Sequence, residues 1–208
     1  MAQYLSDDAL QSLNVSRESL QKLEIYVQLL LTWQAKINLI GPSTIEDVWK
    51  RHVLDGLQLL PLMAPGTETI ADLGSGAGIP GLVLALGSNL KAHLYESNGK
   101  KVAFMREVIR QTRCNAEVHQ IRLETLRANM PEQHPNYVTA RALAPLERLL
   151  GWSSPFLIRG AIGLFHKGQD VDSELQEATK SWKIGALKHP SITDSMGCIL
   201  EVKDIARV

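Results

Sequence analysis

Residues 69–81, "TIADLGSGAGIPG", are the most informative part of the sequence, because an apolar run gives way within four positions to alternating glycines. Gly74, Gly76 and Gly78 can adopt backbone angles closed to other residues, which lets the main chain approach a ligand closely. Pro80 suits the first turn of a following helix, where its missing N–H costs little. A tight turn without a ligand needs fewer glycines, so the pattern predicts a buried strand, a ligand-binding loop and a helix.

Strand and helix candidates alternate from this stretch to the end of the chain. The predicted strands are "ETIADLGSG", "KAHLYES", "AEVHQIRLE", "YVTARAL", "AIGLFHKG", "KIGALKHP" and "GCILEVKDI". The predicted helices between them are "PGLVLALGS", "KKVAFMREVIRQTR", "PLERLLGWSSPFLI" and "VDSELQEATKSW". This alternation predicts an open, mostly parallel sheet with helices on both faces. The last two strands have no clear helix between them, so they form a hairpin that places one antiparallel strand in the sheet.

Two helices are predicted ahead of the first strand. Residues 16–39 carry apolar side chains at helical spacing, and "TIEDVWKRHVLDGLQLLPLM" forms the second helix. After Pro65-Gly66 the pattern changes from helical spacing to alternating strand and helix candidates. We therefore expect an N-terminal helical extension, residues 1–66, followed by a ligand-binding domain, residues 67–208. On the second helix Arg51 and Asp55 stand four positions apart, so we expect them to share a face and pair.

Composition narrows the class of protein. The 208 residues are 45% hydrophobic and 21% charged, as in an ordinary soluble globular protein with one core. Apolar runs are too short to span a membrane and the N-terminus lacks the layout of a signal peptide. Cys114 and Cys198 lack metal-ligand spacing, which favours a cytoplasmic protein with free thiols and no metal site. Net charge is zero, yet residues 91–150 carry 10 Lys or Arg against 6 Asp or Glu.

The identity of the ligand depends on two carboxylates. "GAGIPG" matches a dinucleotide-binding pattern by letter, which leaves an NAD-type oxidoreductase as one interpretation. Asp72, near the end of the first strand, would repel a pyrophosphate but suits a cationic ligand such as S-adenosylmethionine. Glu96, at the end of the next strand, can accept hydrogen bonds from ribose hydroxyls in either case. Asp72 therefore favours a methyl donor.

"DLGSGAGIPG" is similar to motif I of class I S-adenosylmethionine-dependent methyltransferases. The whole chain resembles the RsmG (GidB) family of bacterial 16S ribosomal RNA guanine-N7 methyltransferases. The resemblance rests, in family order, on "WQAKINLIG", "RHVLDGL", "DLGSGAGIPGLVLAL", "ESNGKKVAFMREV", "IRLETL", "TARALAPL" and "LFHKG". It implies a Rossmann-like α/β fold with seven strands, the last antiparallel. The chain departs from the family at Ala140, where the family has Ser, and at Glu96, where it has Asp.

The resemblance also implies roles for individual residues. S-adenosyl-L-methionine would be held by Asp72, Gly74, Gly76, Gly78, Ile79, Glu96, Leu123, Glu124 and Arg141. Arg51, His52, Arg141 and Lys167 would position the guanine, with Asp55 fixing Arg51. RNA would contact Asn38, Arg51, His52, Lys167 and the basic residues Lys100, Lys101, Arg106, Arg110 and Arg113. We expect no general base, because N7 of guanine carries a lone pair and no proton.

The partner implied is 16S ribosomal RNA or the small ribosomal subunit, bound by a monomer without a membrane. A catalytically inactive RNA-binding module with the same fold remains a further interpretation. Its distinguishing property would be RNA binding without affinity for the methyl donor.

Overall fold

A single seven-stranded sheet organises the computed structural model, which describes Leu13, residues 15–129 and residues 134–208. The strands are β1 Thr69–Leu73, β2 Lys91–Glu96, β3 Ala116–Gln120, β4 Tyr137–Arg141, β5 Ile162–Lys167, β6 Trp182–Pro190 and β7 Cys198–Arg207. Their order across the sheet is β3-β2-β1-β4-β5-β7-β6. Strands β1 to β5 pair in parallel, and β7 is antiparallel to both β5 and β6. The predicted fold class and terminal hairpin are confirmed.

Helices cover both faces of the sheet. They are α1 Arg17–Gln34, α2 Gly81–Gly87, α3 Gly99–Thr112, α4 Leu146–Leu157 and α5 Val171–Ala178. Helix α1 packs on α2 and α3, and α4 packs on α5. Two separate apolar clusters result, one beneath each helical layer. In the first, Tyr26 and Trp33 of α1 meet the ring of Phe104, with centroids 6.1 and 5.8 Å away.

The second predicted helix is broken into short pieces. The π-helix Trp49–Leu54 runs into one α-helical turn, Asp55–Leu57, and a 3₁₀ turn, Leu60–Leu62, follows. A π-helix is wider than an α-helix, so residues four apart no longer stack on one face. Gly56 lets this segment touch α2, since a Cβ there would come within 2.9 Å of Val83. The backbone is thus drawn onto the domain instead of standing apart as a regular helix.

Within the described residues, none of the helices combines the length and apolar character needed to cross a membrane. Cys114 is buried and Cys198 half-buried, and both are free thiols.

Candidate functional site

The candidate site lies at the carboxyl ends of β1 and β4, the two neighbouring strands at which the strand order reverses. From β1 the chain continues to β2 and β3 on one side, and from β4 to β5 on the other. Crevices of this kind bind ligands in open α/β sheets. The loop between β1 and α2 carries Gly74, Gly76 and Gly78 at φ of 65°, 57° and 84°, in the left-handed region that glycine tolerates. Gly81 follows, and a Cβ there would lie 2.4 Å from Cβ of Asp72. The glycines therefore serve both the loop's path and its close packing on β1.

The amides of this loop are already hydrogen-bonded within the protein. Ser75 N donates to the carbonyl of Tyr95 at 3.1 Å, and Gly76 N donates to Oε2 of Glu96 at 2.9 Å. Gly78 N and Ile79 N both donate to the carbonyl of Ser75. A pyrophosphate would need such amides to be available. Their internal use disfavours the dinucleotide interpretation of "GAGIPG".

Glu96 ties the glycine loop to the start of α3. Its second oxygen, Oε1, accepts from Asn98 N at 2.8 Å. Each carboxylate oxygen has a further acceptor position, so Glu96 can still receive two hydroxyl groups from a ligand. The extra methylene of glutamate at this position does not prevent the predicted ribose contact.

A cavity of about 340 Å³ opens beside Glu96; we call it the glycine-loop cavity. Its apolar wall consists of Ile121, Leu123, Leu143 and Trp152, and its polar wall includes Glu96, Lys101 and Glu124. Of the residues predicted to hold the cofactor, Gly74, Glu96, Leu123 and Glu124 line it. The hydroxyl of Tyr95, also in the wall, is buried and has no hydrogen-bond partner among the described residues. An apolar wall beside a carboxylate fits a nucleoside.

Asp72 lies beneath the loop instead of in the cavity. It is fully buried, and its Oδ1 accepts from Oγ1 of Thr139 at 2.7 Å, while Oδ2 has no hydrogen-bond partner in the part of the chain that the structure describes. Burial raises its pKa to about 6, against the hydrogen bonds that Thr139 and Ser75 contribute. Ile79 is also buried, in the apolar cluster below α2. The structure therefore places these two predicted contact residues behind the cavity wall.

A second cavity of about 270 Å³, the β5–β7 cavity, adjoins the first at Ala142, which lines both. The rest of its wall is formed by residues of the π-helical segment, of β4 and β5, and of the loop between β6 and β7: Arg51, Asp55, Arg141, His166, Lys167, Gly168, Ser191, Asp194, Gly197 and Cys198. Arg141 was predicted to hold the cofactor, but its side chain lies in this cavity and not in the glycine-loop cavity. Both cavities lie over the carboxyl ends of the strands, and we call the region that they occupy the crevice.

Asp55 is the centre of a buried polar network in the second cavity. Its Oδ2 lies 2.9 Å from Nη1 of Arg141, an ion pair whose angle is not that of a hydrogen bond. Its Oδ1 accepts from Gln58 Nε2 at 2.7 Å and from the hydroxyl of Thr193. His166 Nε2 donates to the main-chain carbonyl of Asp55 at 2.8 Å, and burial lowers the pKa of this histidine.

The predicted pairing of Arg51 with Asp55 is wrong. Arg51 instead reaches the loop between β6 and β7, where its Nη1 lies 3.6 Å from Oδ2 of Asp194. The π-helix turns Asp55 inward toward Arg141 and leaves Arg51 at the mouth of the cavity. Four-residue spacing stabilises a pair only where the helix is a regular α-helix.

His52 and Lys167 face inward, contrary to the expectation that both reach RNA. His52 is 4% exposed, its Nε2 lies 2.7 Å from Oγ1 of Thr44, and burial lowers its pKa to about 4. The ammonium of Lys167 donates to Glu174 at 2.6 Å and to the carbonyl of Ala144 at 3.0 Å. Both side chains are therefore engaged within the protein. Asn38 is exposed, as an RNA contact would require.

The predicted basic residues do not form one face beside the crevice. Lys100 and Lys101 lie at its edge, where Asn98 caps α3 by accepting from both of their main-chain N–H groups. Helix α3 then runs antiparallel to the strands for about 20 Å. Arg113, just past its end, lies near the amino ends of β2 and β3. Arg110 is engaged by Glu107 through two bonds of 2.8 and 2.7 Å. Arg106 is exposed between them.

Two further features lie away from the crevice. The ligand atoms of His93, Glu117 and His119 come within 4.8 Å of one another across β2 and β3. Strand register brings them together, so their sequence spacing gave no signal. A cavity of about 950 Å³ opens at the amino ends of β1 and β2. Ligands of such folds bind at the carboxyl ends of the strands, so we assign this cavity no part in the site.

Sequence reasoning missed Thr139, His166, Thr193 and Asp194. Thr139 and His166 stand next to or near quoted motif residues, in "YVTAR" and "LFHKG", which was a usable signal. Thr193 and Asp194 are 138 and 143 positions from their respective partners Asp55 and Arg51, and only the folded chain joins them.

Known proteins of one family resemble this chain over most of its length. The sequence model of the GidB family, described as rRNA small subunit methyltransferase G, matches residues 19–199. A ribosomal RNA small subunit methyltransferase G from Paramagnetospirillum magneticum is 46% identical over 201 residues, covering 97% of this chain and 96% of that protein. Its counterpart from Rhodopseudomonas palustris is 48% identical, covering 93% and 84%.

Solved structures resemble the fold at low identity. The fibrillarin/Nop5p complex superposes with a TM-score of 0.58 at 15% identity, covering 75% of this chain and 82% of that chain. The glycopeptide N-methyltransferase MtfA, complexed with S-adenosyl-L-methionine, gives 0.58 at 11% identity, covering 73% and 93%. These two show the fold alone. From the family model and the relatives, the chain belongs to the GidB family of small-subunit ribosomal RNA methyltransferases.

Proposed function

We propose that this chain transfers the methyl group of S-adenosyl-L-methionine to N7 of a guanine in 16S ribosomal RNA. The observation that carries the proposal is the pair of cavities that meet at Ala142. One cavity has the walls a nucleoside requires, and the other gathers cationic and polar side chains suited to an RNA base. A transferase needs such adjoining sites, because holding two reactants together supplies much of the rate.

On the donor side, Glu96 would accept the ribose hydroxyls while Leu123 and the neighbouring apolar wall cover the adenine. When bound, S-adenosylmethionine supplies a methyl group on a cationic sulfur. Asp72 favours that cation from beneath the glycine loop, since its charge acts through a low-dielectric region without direct contact. Gly76 leaves the space between the carbonyl of Gly74 and the ammonium of Lys101 open.

On the acceptor side, the chain orients the base and takes up no proton. N7 of guanine already has its lone pair, so the residues around the β5–β7 cavity act by position and charge. Arg141 is fixed by Asp55, and Asp55 is fixed in turn by Gln58 and Thr193. Arg51 stands at the mouth, 40% exposed, where it can meet RNA phosphate. The ammonium of Lys167, a residue that lines this cavity, donates to the carbonyl of Ala144 and so holds the backbone just after Arg141.

The chain would act as a monomer in the cytoplasm, on 16S ribosomal RNA free or within the small subunit. Residues 1–66 would form an extension on the substrate side and residues 67–208 the donor-binding domain. Three contacts between the two segments support these roles. Tyr26 donates to the carbonyl of Ala77 in the glycine loop at 3.0 Å, and Asp55 and Gln58 bond the β6–β7 loop.

The test combines binding and product analysis. Isothermal titration calorimetry with S-adenosylmethionine and separately with NADH identifies the ligand. Incubation with donor and small-subunit RNA from a strain lacking this gene, followed by mapping of N7-methylguanosine, identifies the product. We expect donor binding and one new N7-methylguanosine. Binding of NADH without response to the donor would support an oxidoreductase, and RNA binding without donor binding would support an inactive module.

A further inference from the structure

We propose that Asp194, in the loop between β6 and β7, reads the target base by accepting hydrogen bonds from N1–H and the exocyclic amine of guanine. The inference rests on the proposed function and adds the residue that selects the base. The loop, residues 191–197, was not among the sequence-predicted sites. It overhangs the β5–β7 cavity, which Ser191, Asp194 and Gly197 help to line.

Availability distinguishes Asp194 from the other carboxylate that lines this cavity. Asp55 is 12% exposed, and its oxygens already face Arg141, Gln58 and Thr193. Asp194 is 45% exposed; its Oδ1 accepts from Met196 N at 3.0 Å, and its Oδ2 faces Arg51 at 3.6 Å. An exposed pair at that distance is weak. Incoming RNA can therefore separate it, with Arg51 passing to a phosphate and Asp194 to a base.

Guanine is the base whose chemistry matches a carboxylate here. Its Watson–Crick edge presents two adjacent donors, N1–H and the exocyclic amine, and a carboxylate can accept both. Adenine and cytosine each place a ring acceptor on that edge, which a carboxylate repels, and uracil offers one donor between two acceptors. Enzymes that modify a base commonly read it along this edge after drawing it from its stack. N7 lies on a different edge of the purine and remains accessible.

The loop is held rigidly enough to present Asp194. Ile192 N donates to Oε1 of Gln58 at 2.9 Å, and the Thr193 hydroxyl donates to Asp55. Oγ of Ser191 accepts from the N–H groups of Thr193 and Asp194, both at 3.2 Å. The same buried acid that fixes Arg141 thus also fixes the loop. Positioning by a supporting network of this kind is what base recognition requires.

Apolar side chains on the loop supply a second reason to expect RNA there. Ile192 and Met196 flank Asp194 and are 60% and 63% exposed, among the most exposed large apolar side chains of the described residues. When a base leaves its stack, the neighbouring bases lose a stacking partner, and one face of each ring is exposed. Apolar side chains at the rim of the cavity would cover those faces while Asp194 holds the base itself.

The test measures whether Asp194 senses the amine of the base. RNA substrates carry either guanosine or inosine at the modified nucleotide, since inosine lacks only the exocyclic amine. Methyl transfer to both is measured with wild type and with Asp194→Asn. Asp172→Asn is the matched control, because Asp172 is an exposed carboxylate paired with Lys188 outside the crevice. Donor affinity and melting temperature are recorded for all three proteins.

We expect Asp194→Asn to lower kcat/KM on guanosine roughly 10- to 100-fold with donor affinity and melting temperature unchanged. Inosine should lower kcat/KM for wild type and for Asp172→Asn, but add no further loss in Asp194→Asn. An inosine penalty that persists in full in Asp194→Asn, or a variant as active as wild type, would overturn the inference and leave the proposed function standing. Wild type that methylates no guanosine would overturn both.

Discussion

Arg141 and Asp55 face each other in the crevice, with Nη1 of Arg141 2.9 Å from Oδ2 of Asp55, and this pair joins β4 to the segment ahead of the first strand. Both side chains are largely buried, at 20% and 12% exposed. Asp55 also receives hydrogen bonds from Gln58 and from Thr193 of the β6–β7 loop. A single carboxylate thereby connects three separate parts of the chain at the candidate site.

Neutralising Asp55 should destabilise the protein. Asp55→Asn leaves the guanidinium of Arg141 buried without a counter-charge, and breaking a buried pair in this way costs about 3 kcal/mol. We expect the free energy of unfolding, measured by urea denaturation, to fall by roughly that amount. The control is Glu18→Gln, which breaks the exposed pair of Glu18 with Lys22 and should change stability little. Equal effects of the two substitutions would show that the Asp55 network does not support the fold.

A second prediction concerns Asp72 and pH. Burial raises the pKa of Asp72 to about 6 from an ordinary 3.8, so between those values the native protein keeps a proton that the unfolded chain releases. The contribution of Asp72 to stability is therefore largest below pH 3.8 and falls as pH rises to about 6, by roughly 3 kcal/mol in all. Asp72→Asn should remove that fall, so its stability relative to wild type rises between pH 4 and pH 7.

Measuring the difference between the two proteins isolates Asp72 from His52. Burial lowers the pKa of His52 to about 4, which makes stability rise with pH between that value and 6.5 in both proteins. The histidine contribution cancels in the difference. A difference that stays constant from pH 4 to pH 7 would mean that Asp72 titrates normally. Donor affinity should fall in Asp72→Asn at pH 7, because the variant lacks the negative charge beneath the loop.

The sheet could be predicted from the sequence because two features act locally. These are the apolar patterning of each strand and helix, and the glycines and prolines that end them. The order of β1, glycine loop and α2 follows from the apolar run and from Gly74, Gly76 and Gly78, because glycine readily adopts the left-handed backbone angles of this loop. Glu96 could be placed since it ends the neighbouring strand. These inferences needed no knowledge of how distant segments pack.

The partners within the crevice could not be predicted in this way. Whether Arg51 meets Asp55 or Asp194 depends on the π-helix, which leaves no periodic signal in the sequence. The prediction that the basic residues form one RNA-binding face failed for a related reason. Lys100 and Arg113 are close in sequence, but the 14-residue helix α3 separates them. Lys100 lies at the carboxyl ends of the strands and Arg113 at their amino ends.

That separation gives a third prediction, about RNA affinity. Lys100→Gln should reduce the slope of logarithmic affinity against logarithmic salt concentration by roughly 0.7–0.9, since one phosphate contact is lost. Arg113→Gln should leave the slope unchanged, because Arg113 lies at the amino ends of β2 and β3. Filter binding of small-subunit RNA at several salt concentrations measures both. Equal slopes for Lys100→Gln and wild type would place the RNA away from this end of α3.

The last prediction separates the conformational need for glycine in the loop from the space it leaves. Gly76 and Gly66 both have positive φ, 57° and 83°, so alanine at either position incurs a strain of about 1 kcal/mol. A Cβ at Gly66 meets no atom within 4 Å, whereas one at Gly76 enters the gap between the carbonyl of Gly74 and the ammonium of Lys101. Gly74 and Lys101 both line the glycine-loop cavity.

Gly76→Ala and Gly66→Ala should therefore lose similar stability in thermal denaturation but differ in binding. We expect Gly76→Ala to bind S-adenosylmethionine roughly tenfold more weakly in calorimetry, the equivalent of about 1.4 kcal/mol, because its methyl group occupies the ligand's approach. Gly66→Ala should bind like wild type. If both variants retain wild-type affinity, the glycines at 74–78 serve the turn alone and the donor must lie elsewhere along the crevice.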